Sequence, residues 1–342
     1  MFSWKRTLGT MALAASASLT AQAQEVTLRF HQFLPPQATI PSKAIAPWAK
    51  KVEEDSKGRI KIQMFGAMQL GGTPPQLYDQ ARDGVVDIIW TLPGYTPGRF
   101  NKVEAFELPF MASLSAEQTS KSFYEYVQKN AMDEFKDVHV LTVHVHGPGL
   151  FHTKKPVTGL DSLKGMKIRG GTRIVNNMLT KLGATPVGMP VPAVTEALSK
   201  GVLDGTTIPW EVGPALKVPE LVHNHTTFAG DRALYVTTFV VAMNKAKYES
   251  LPADLKKVLD DNSGAGMASL FGKAMDEGDV RGKAMAEKNG NNVVALDEAE
   301  TAKFRETAAS VEADWVKEMQ GKGIDGASLV KQARALVQQN SK

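Results

Sequence analysis

The sequence predicts an α/β protein of two lobes, and three observations carry that expectation. Strand-like and helix-like segments alternate from residue 26 to residue 90, and the alternation repeats from 138 to 208. Two long strand patterns, 141–147 and 235–243, stand between and after these units. Strands alternating with helices imply a largely parallel sheet with helical layers. Two such units joined by extended segments imply lobes linked by hinge strands.

The elements follow in order. Val26-Thr27-Leu28-Arg29-Phe30-His31-Gln32-Phe33 alternates as a strand and stops at Pro35-Pro36. Pro41 to Ser56 reads as a helix, with Ile45, Trp48, Ala49 and Val52 on one buried face. Ile60 to Phe65 is the next strand. A turn at Gly71-Gly72 leads to a helix over Gln76 to Asp83, then to an apolar strand over Val85 to Trp90. In the second unit, Val138 to His146 is a strand and Met166 to Arg169 a short extended piece. Helices are expected at Ile174 to Leu182 and Pro192 to Lys200, with extended segments at Pro186 to Met189 and Val202 to Ile208. Tyr235 to Met243, rich in Val, Thr and aromatic residues, is a long strand. Pro252 to Gln339 reads as almost wholly helical. As a single helix, Asp254 to Lys288 would run about 50 Å and cross both lobes; Gly264, Gly266, Gly272 and Gly278 mark a kink or close packing within it.

The start of the chain predicts export. Lys5 and Arg6 precede an apolar run from Leu8 to Leu19, and Ala21-Gln22-Ala23 fits a signal-peptidase site. The run is shorter than the roughly 20 residues of a membrane span. Residues 1–23 are therefore expected to be cleaved and the remainder not to be membrane-inserted. That remainder, roughly 320 residues, suggests about two domains. The formal charge is +4, of which the signal supplies two, and no basic cluster interleaved with aromatics points to nucleic acid. With no cysteine, disulfides, thiolate metal sites and cysteine nucleophiles are excluded.

Catalytic signatures are missing. There is no G-x-S-x-G elbow, no phosphate-cradling G-x-x-x-x-G-K-[ST] loop and no H-E-x-x-H helix. His144 and His146 alternate on one strand face and could chelate a metal, but packed or hydrogen-bonded histidines are the commoner reading. His223 and His225 fall in a polar segment and read as surface residues. No cofactor or metal is expected.

Several ordered blocks carry a family resemblance. They are Gly58-Arg59-Ile60-Lys61-Ile62, Gln69-Leu70-Gly71, Asp83-Gly84-Val85-Val86-Asp87, Gly165-Met166-Lys167-Ile168-Arg169, Leu182-Gly183-Ala184-Thr185-Pro186-Val187, Val191 to Leu198, and Gly201-Val202-Leu203-Asp204-Gly205. Together they make the chain resemble the DctP-like substrate-binding proteins of tripartite ATP-independent periplasmic (TRAP) transporters. The resemblance implies a type II-like periplasmic-binding-protein fold, with a long helix spanning both lobes and a ligand in the cleft. It implies residues 24–146 as lobe I with a returning strand near 235–245, residues 147–234 as lobe II, and 246–342 packing helically across both. It also implies a monomer in the periplasm that delivers its ligand to TRAP membrane permease subunits and is not an enzyme.

In that family the Arg of the K-I-R block binds the ligand carboxylate, and Arg169 holds that position. A guanidinium at the end of a short strand enters the crevice of an α/β sheet and pairs bidentately with a carboxylate. Sialic-acid-type members carry a second Arg where Gly149 stands, an acid where Leu92 stands and an amide where Ile208 stands. These exchanges remove partners for sugar hydroxyls, so the expected ligand is a monocarboxylate with an apolar or aromatic tail, such as an aromatic 2-oxo or 2-hydroxy acid. Phe33, Trp90, Tyr95, Phe151 and Trp210 are the aromatic candidates for packing on it. His31 and His146 either hydrogen-bond a 2-oxo or hydroxyl group or are satisfied structural histidines. Arg173 is a candidate second carboxylate partner, or a solvated arginine at a helix start. The rival readings are a ligand-sensing subunit of a membrane receptor and an exported enzyme acting on small acids.

Overall fold

The computed structural model describes residues 25–341, so the expected export signal at residues 1–23 lies outside the described residues. Four strands come early: β1 (Val26–Gln32), β2 (Ile60–Phe65), β3 (Ile88–Thr91) and β4 (Val138–Val145). The middle of the chain supplies β5 (Leu150–Thr153), β6 (Lys167–Gly170), β7 (Thr185–Gly188), β8 (Gly205–Ile208) and β9 (Asn224–Thr227). Last come β10 (Thr238–Asn244) and β11 (Asn292–Ala295). They form two sheets, ordered β2-β1-β3-β10-β4 and β11-β9-β5-β8-β6-β7.

In the first sheet β1 runs parallel to β2 and β3, and β10 inserts antiparallel between β3 and β4. Val26, Leu28 and Phe30 of β1 are buried while Thr27 and Arg29 are exposed, as the alternation demands. β3 has neighbours on both edges and is buried at all four positions. The second sheet is parallel through β8, β6 and β7, with β5 antiparallel to β8 and β9.

Among the helices, α1 (Ala46–Asp55) continues a π-helical turn at Pro41–Ile45, which together match the expected helix. Next are α2 (Leu77–Arg82), α3 (Ala116–Asn130), α4 (Arg173–Lys181), α5 (Val194–Ser199), α6 (Val218–Leu221) and α7 (Lys245–Glu249). α3 and β5 have no counterpart among the sequence expectations. At the N-terminus of α3 the Asp276 carboxylate accepts from Ala116 N, Glu117 N and Ser115 Oγ, satisfying amides that every helix start leaves unpaired.

The expected single helix from Asp254 to Lys288 is two helices, α8 (Ala253–Asp261) and α9 (Gly264–Lys288). Gly264 between them has φ +70°, a left-handed conformation that breaks the helix and that glycine adopts without penalty. α9 alone still spans about 37 Å. It packs on α3 and β4 of the first lobe, and then on the segment after β8 of the second. At Gly282 the approach is so close that a Cβ would stand 2.1 Å from Trp210 O. Then α10 (Glu298–Gly321) lies on α4, and α11 (Gly326–Asn340) on α3. The C-terminal region is not wholly helical, since β11 adds to the second sheet parallel to β9. No helix among the described residues is long and apolar enough to cross a membrane.

Two extended segments carry the backbone from sheet to sheet, residues 146–149 between β4 and β5 and 228–237 between β9 and β10, and α7 to α9 carry it across a third time between β10 and β11. Most of the two segments expected as hinges therefore lies within the first sheet, paired from Thr238↔Val145 to Asn244↔Val138.

Candidate functional site

A narrow, chiefly apolar cavity of about 40 Å³ lies between the sheets. The first lobe contributes Phe33, Leu34, Trp90, Leu92 and Tyr95, and β10 adds Phe239. The second lobe contributes Arg169, Val191, Thr207, Ile208 and Glu211; Met275 of α9 completes a wall. His146, Tyr235 and Thr237 enter from the two extended crossing segments.

Arg169 is the penultimate residue of β6 and is 4% exposed. Its Nε–H donates to Met189 O at 2.9 Å, and Nη1 donates to Thr207 O at 3.4 Å. These two carbonyls aim the fork, and no ion pair among the described residues includes Arg169. A buried cation with hydrogen bonds but no anion is a costly arrangement. Tyr95 stands beside it. The Tyr95 oxygen accepts from Val191 N at 3.0 Å and has Arg169 as a second hydrogen-bonding neighbour. Its hydroxyl proton thereby remains available for an acceptor in the cavity. Burial raises the Tyr95 pKa, so the phenol keeps that proton.

The opposite wall is an aromatic stack. Phe33 and Trp90 are parallel at 4.8 Å, Trp90 and Phe239 at 5.1 Å, and Phe239 and His144 at 4.8 Å. Trp90 Nε1–H donates to His144 Nε2 at 2.8 Å, and His144 Nδ1 meets Val145 O at 3.1 Å. Burial pushes His144 down to about 3, so its Nε2 stays an acceptor and fixes the indole. His146 is likewise occupied, with Nδ1 on Gly147 O and Nε2 accepting from Thr237 N at 3.0 Å. Its pKa falls to about 4, chiefly through burial, with Arg169 adding to the effect. His146 lines the cavity as a neutral ring with both nitrogens engaged. Neither histidine forms part of a cluster of three metal-ligating side chains among the described residues.

Five of the nine candidates, Arg169, Trp90, Tyr95, Phe33 and His146, therefore come together. The other four lie elsewhere, and the reasons are physical. Trp210 packs between His152 and His225, at 5.2 and 4.8 Å, in a separate cluster with Leu150 and Ala286. Its neighbours Pro209, Glu211 and Val212 line the cavity, but the chain turns at Trp210, whose carbonyl accepts from Gly213 N at 3.2 Å, and the indole packs away from it. Phe151 is packed in the second lobe against Phe228 and Phe304. His31 is locked between Gln80 Oε1 at 2.8 Å and Leu70 N at 3.3 Å. Arg173 pairs with Glu104 and, at 2.8 Å, with Glu318. His225 is fully buried on β9, not on the surface, because that strand has partners on both edges.

Sequence reasoning passed over Tyr235, Thr237, Phe239, Thr207 and Glu211. A signal existed for the first three, since alternate residues of an extended segment share a face. Strand pattern alone does not tell which face of that segment meets the cleft. Leu92 and Ile208 do line the cavity, while Gly149 lies behind it against Tyr235.

The model of bacterial extracellular solute-binding protein family 7 (DctP) matches residues 30–318. Among solved structures, the chain is 50% identical to a TRAP solute-binding protein from an unidentified marine-metagenome microbe, specific for aromatic acid ligands and co-crystallised with 3-hydroxybenzoate. The match covers 93% of this chain and 100% of that one, with a TM-score of 0.92. It is 51% identical to a TRAP solute-binding protein from Rhodoferax ferrireducens T118 in complex with copurified benzoate, over 92% and 98% of the chains, with a TM-score of 0.90. A TRAP periplasmic solute-binding protein from Bordetella bronchiseptica with bound (R)- and (S)-mandelate is 30% identical over 92% and 99%, with a TM-score of 0.84.

Proposed function

Because the chain belongs to the bacterial extracellular solute-binding proteins of family 7, we propose that it captures a small aromatic monocarboxylate in the periplasm and delivers it to the membrane permease of a TRAP transporter. The observation that carries the ligand class is Arg169, a single buried guanidinium without an anionic partner, set in a cavity walled by Phe33, Trp90 and Phe239. One cation matches one carboxylate, and the flat stack matches a ring. Relatives half identical to this chain hold benzoate and 3-hydroxybenzoate, which supports a ligand of that size.

The carboxylate docks on the outer edge of the Arg169 fork and accepts a hydrogen bond from the Tyr95 hydroxyl. Tyr95 belongs to the first lobe and Arg169 to the second, so one carboxylate group ties the lobes together. Contacts made only when the lobes are closed are what let a ligand favour closure. The apolar wall made by Leu92 and Ile208 would leave sugar hydroxyls unpaired, at about 1–3 kcal/mol each.

The test is a thermal-shift screen of the purified mature protein against benzoates, mandelates, sugar acids and C4-dicarboxylates. A ligand that binds only the native state stabilises by RT ln(1 + [L]/Kd), about 2.7 kcal/mol at a hundred times Kd. Shifts with aromatic monocarboxylates are expected. Shifts confined to sugar acids or dicarboxylates would sink the proposed ligand class.

A further inference from the structure

Glu211 is the one acidic residue lining the Arg169 cavity among the described residues, and an aryl carboxylate leaves it without a role. The residue follows β8, is 5% exposed and is held in place on three sides. Its backbone N–H donates to Asp279 Oδ1 at 2.7 Å. Gly278 of α9 abuts its stem so tightly that a Cβ there would stand 2.4 Å from Glu211 Cγ. Thr39 of the first lobe is the hydrogen-bonding neighbour of the carboxyl group. Yet Oε1 is buried with no protein partner. Buried polar oxygens are almost always satisfied, so an unsatisfied one in a cavity wall points to the cavity's occupant. Glu211 also makes no ion pair with Arg169, so the two mark separate polar points of one apolar chamber.

We propose that Glu211 is a specificity-determining residue that receives a ring hydroxyl of the ligand, so that the site prefers hydroxylated aromatic acids to unsubstituted ones. This rests on the aromatic-monocarboxylate reading above and narrows it. The acceptor and donor sides of a phenol suit Glu211 in either protonation state. Burial pushes its carboxyl up to about 7, against the opposing pull of Arg281, and the adjoining Asp279 carboxyl is raised as well. A site built to hydrogen-bond a hydroxyl discriminates strongly against the analogue lacking it, because its own polar atom is then left unpaired.

The experiment is calorimetric titration of the mature chain with benzoate and with 2-, 3- and 4-hydroxybenzoate. At least one hydroxybenzoate is expected to bind about tenfold or more tightly than benzoate. Glu211→Met should bring that ratio to within about twofold of one, and Glu211→Gln, which keeps a donor and an acceptor, should restore most of it. Glu211→Ala decides in place of the Met variant if the latter does not fold. A preference untouched by Met or Ala, or no preference in the wild type while benzoate binds, overturns the role of Glu211 and leaves the aromatic-acid reading standing. Failure of the wild type to bind any of the four acids overturns the role of Glu211, and failure of the mandelates as well overturns the aromatic-acid reading.

Discussion

The ring of Tyr235 lies on the bare backbone of Gly149, where a Cβ would stand 2.1 Å from Tyr235 Cε1. The two residues sit on the two extended segments that cross between the lobes, joined by Gly149 N donating to Tyr235 O at 2.9 Å. The other face of the relationship is the cavity, which Tyr235 lines while its hydroxyl is hydrogen-bonded to Thr207. A side chain at 149 and this position of Tyr235 exclude each other, so Gly149 shapes a site it does not touch.

Gly149→Ala should therefore displace Tyr235 and weaken aromatic-acid binding by about tenfold or more, for an overpacking cost of about 1–3 kcal/mol. Calorimetric titration reads the affinity, and circular dichroism confirms that the chain still folds. Combining Gly149→Ala with Tyr235→Leu should cost less than the sum of the two changes, since they disturb one contact. Additive effects would mean that Gly149 acts some other way.

Arg169→Met should abolish the thermal shift with every aromatic acid while the far-UV spectrum is retained. Losing a charged, hydrogen-bonded partner in a complex costs about 2–5 kcal/mol, which puts Kd beyond the range of the screen. Wild-type affinity in this variant would remove Arg169 from the site.

The strand-helix alternation made the two sheets legible because each lobe's core strands keep a clear period. Gly165 to Arg169 placed one guanidinium, and Phe33, Trp90 and Tyr95 follow from strand ends that face the crevice. What the sequence could not convey is which side of a two-layer lobe an aromatic takes. Trp210 and Phe151 are as apolar as Trp90, but the layer between sheet and helices claims them. Glu211 was hidden for a related reason, since a lone acid after a strand reads as solvated until α9 closes over it. The short edge strand β11 carries only Asn292-Val293-Val294-Ala295 inside a helical stretch, too little pattern to outweigh its surroundings.

Arg173 ties the lobes together through Glu104, whose carboxyl also accepts from Trp315 Nε1 at 3.0 Å. Burial holds the Glu104 pKa above its ordinary value despite the arginine, so this carboxylate depends on its partner. Arg173→Met should destabilise the protein by about 2–4 kcal/mol, somewhat under a fully buried pair because Arg173 is 22% exposed. Adding Glu104→Gln should recover part of that loss. The rank order of aromatic acids in titration should stay as in the wild type. A changed rank order would return Arg173 to the ligand.

Stability should fall as pH rises from 6 to 8, and Glu107 gives the cleanest test. Its Oε1 accepts from Thr238 N at 3.1 Å and Thr238 Oγ1 at 2.9 Å, and burial, aided by Glu104, raises the carboxyl to about 7. Thr172 from the second lobe opposes that shift by hydrogen bonding. A carboxyl that is more basic folded than unfolded contributes stability that is complete below the unfolded value of 4.5 and is lost as pH passes through about 7. Glu134 and Glu211, also raised to about 7, act in the same direction. The buried histidines act oppositely: His144, His146 and His225 contribute stability present above about 6.5 and lost as pH falls through about 3 to 4. Above pH 6.5 the carboxyls thus act almost alone. Glu107→Gln removes one of them while keeping an acceptor for Thr238, and should cut the stability lost between pH 6 and 8 by about 1 kcal/mol. Urea unfolding at pH 6, 7 and 8 measures it, and parallel wild-type and variant profiles would show that Glu107 does not titrate in this window.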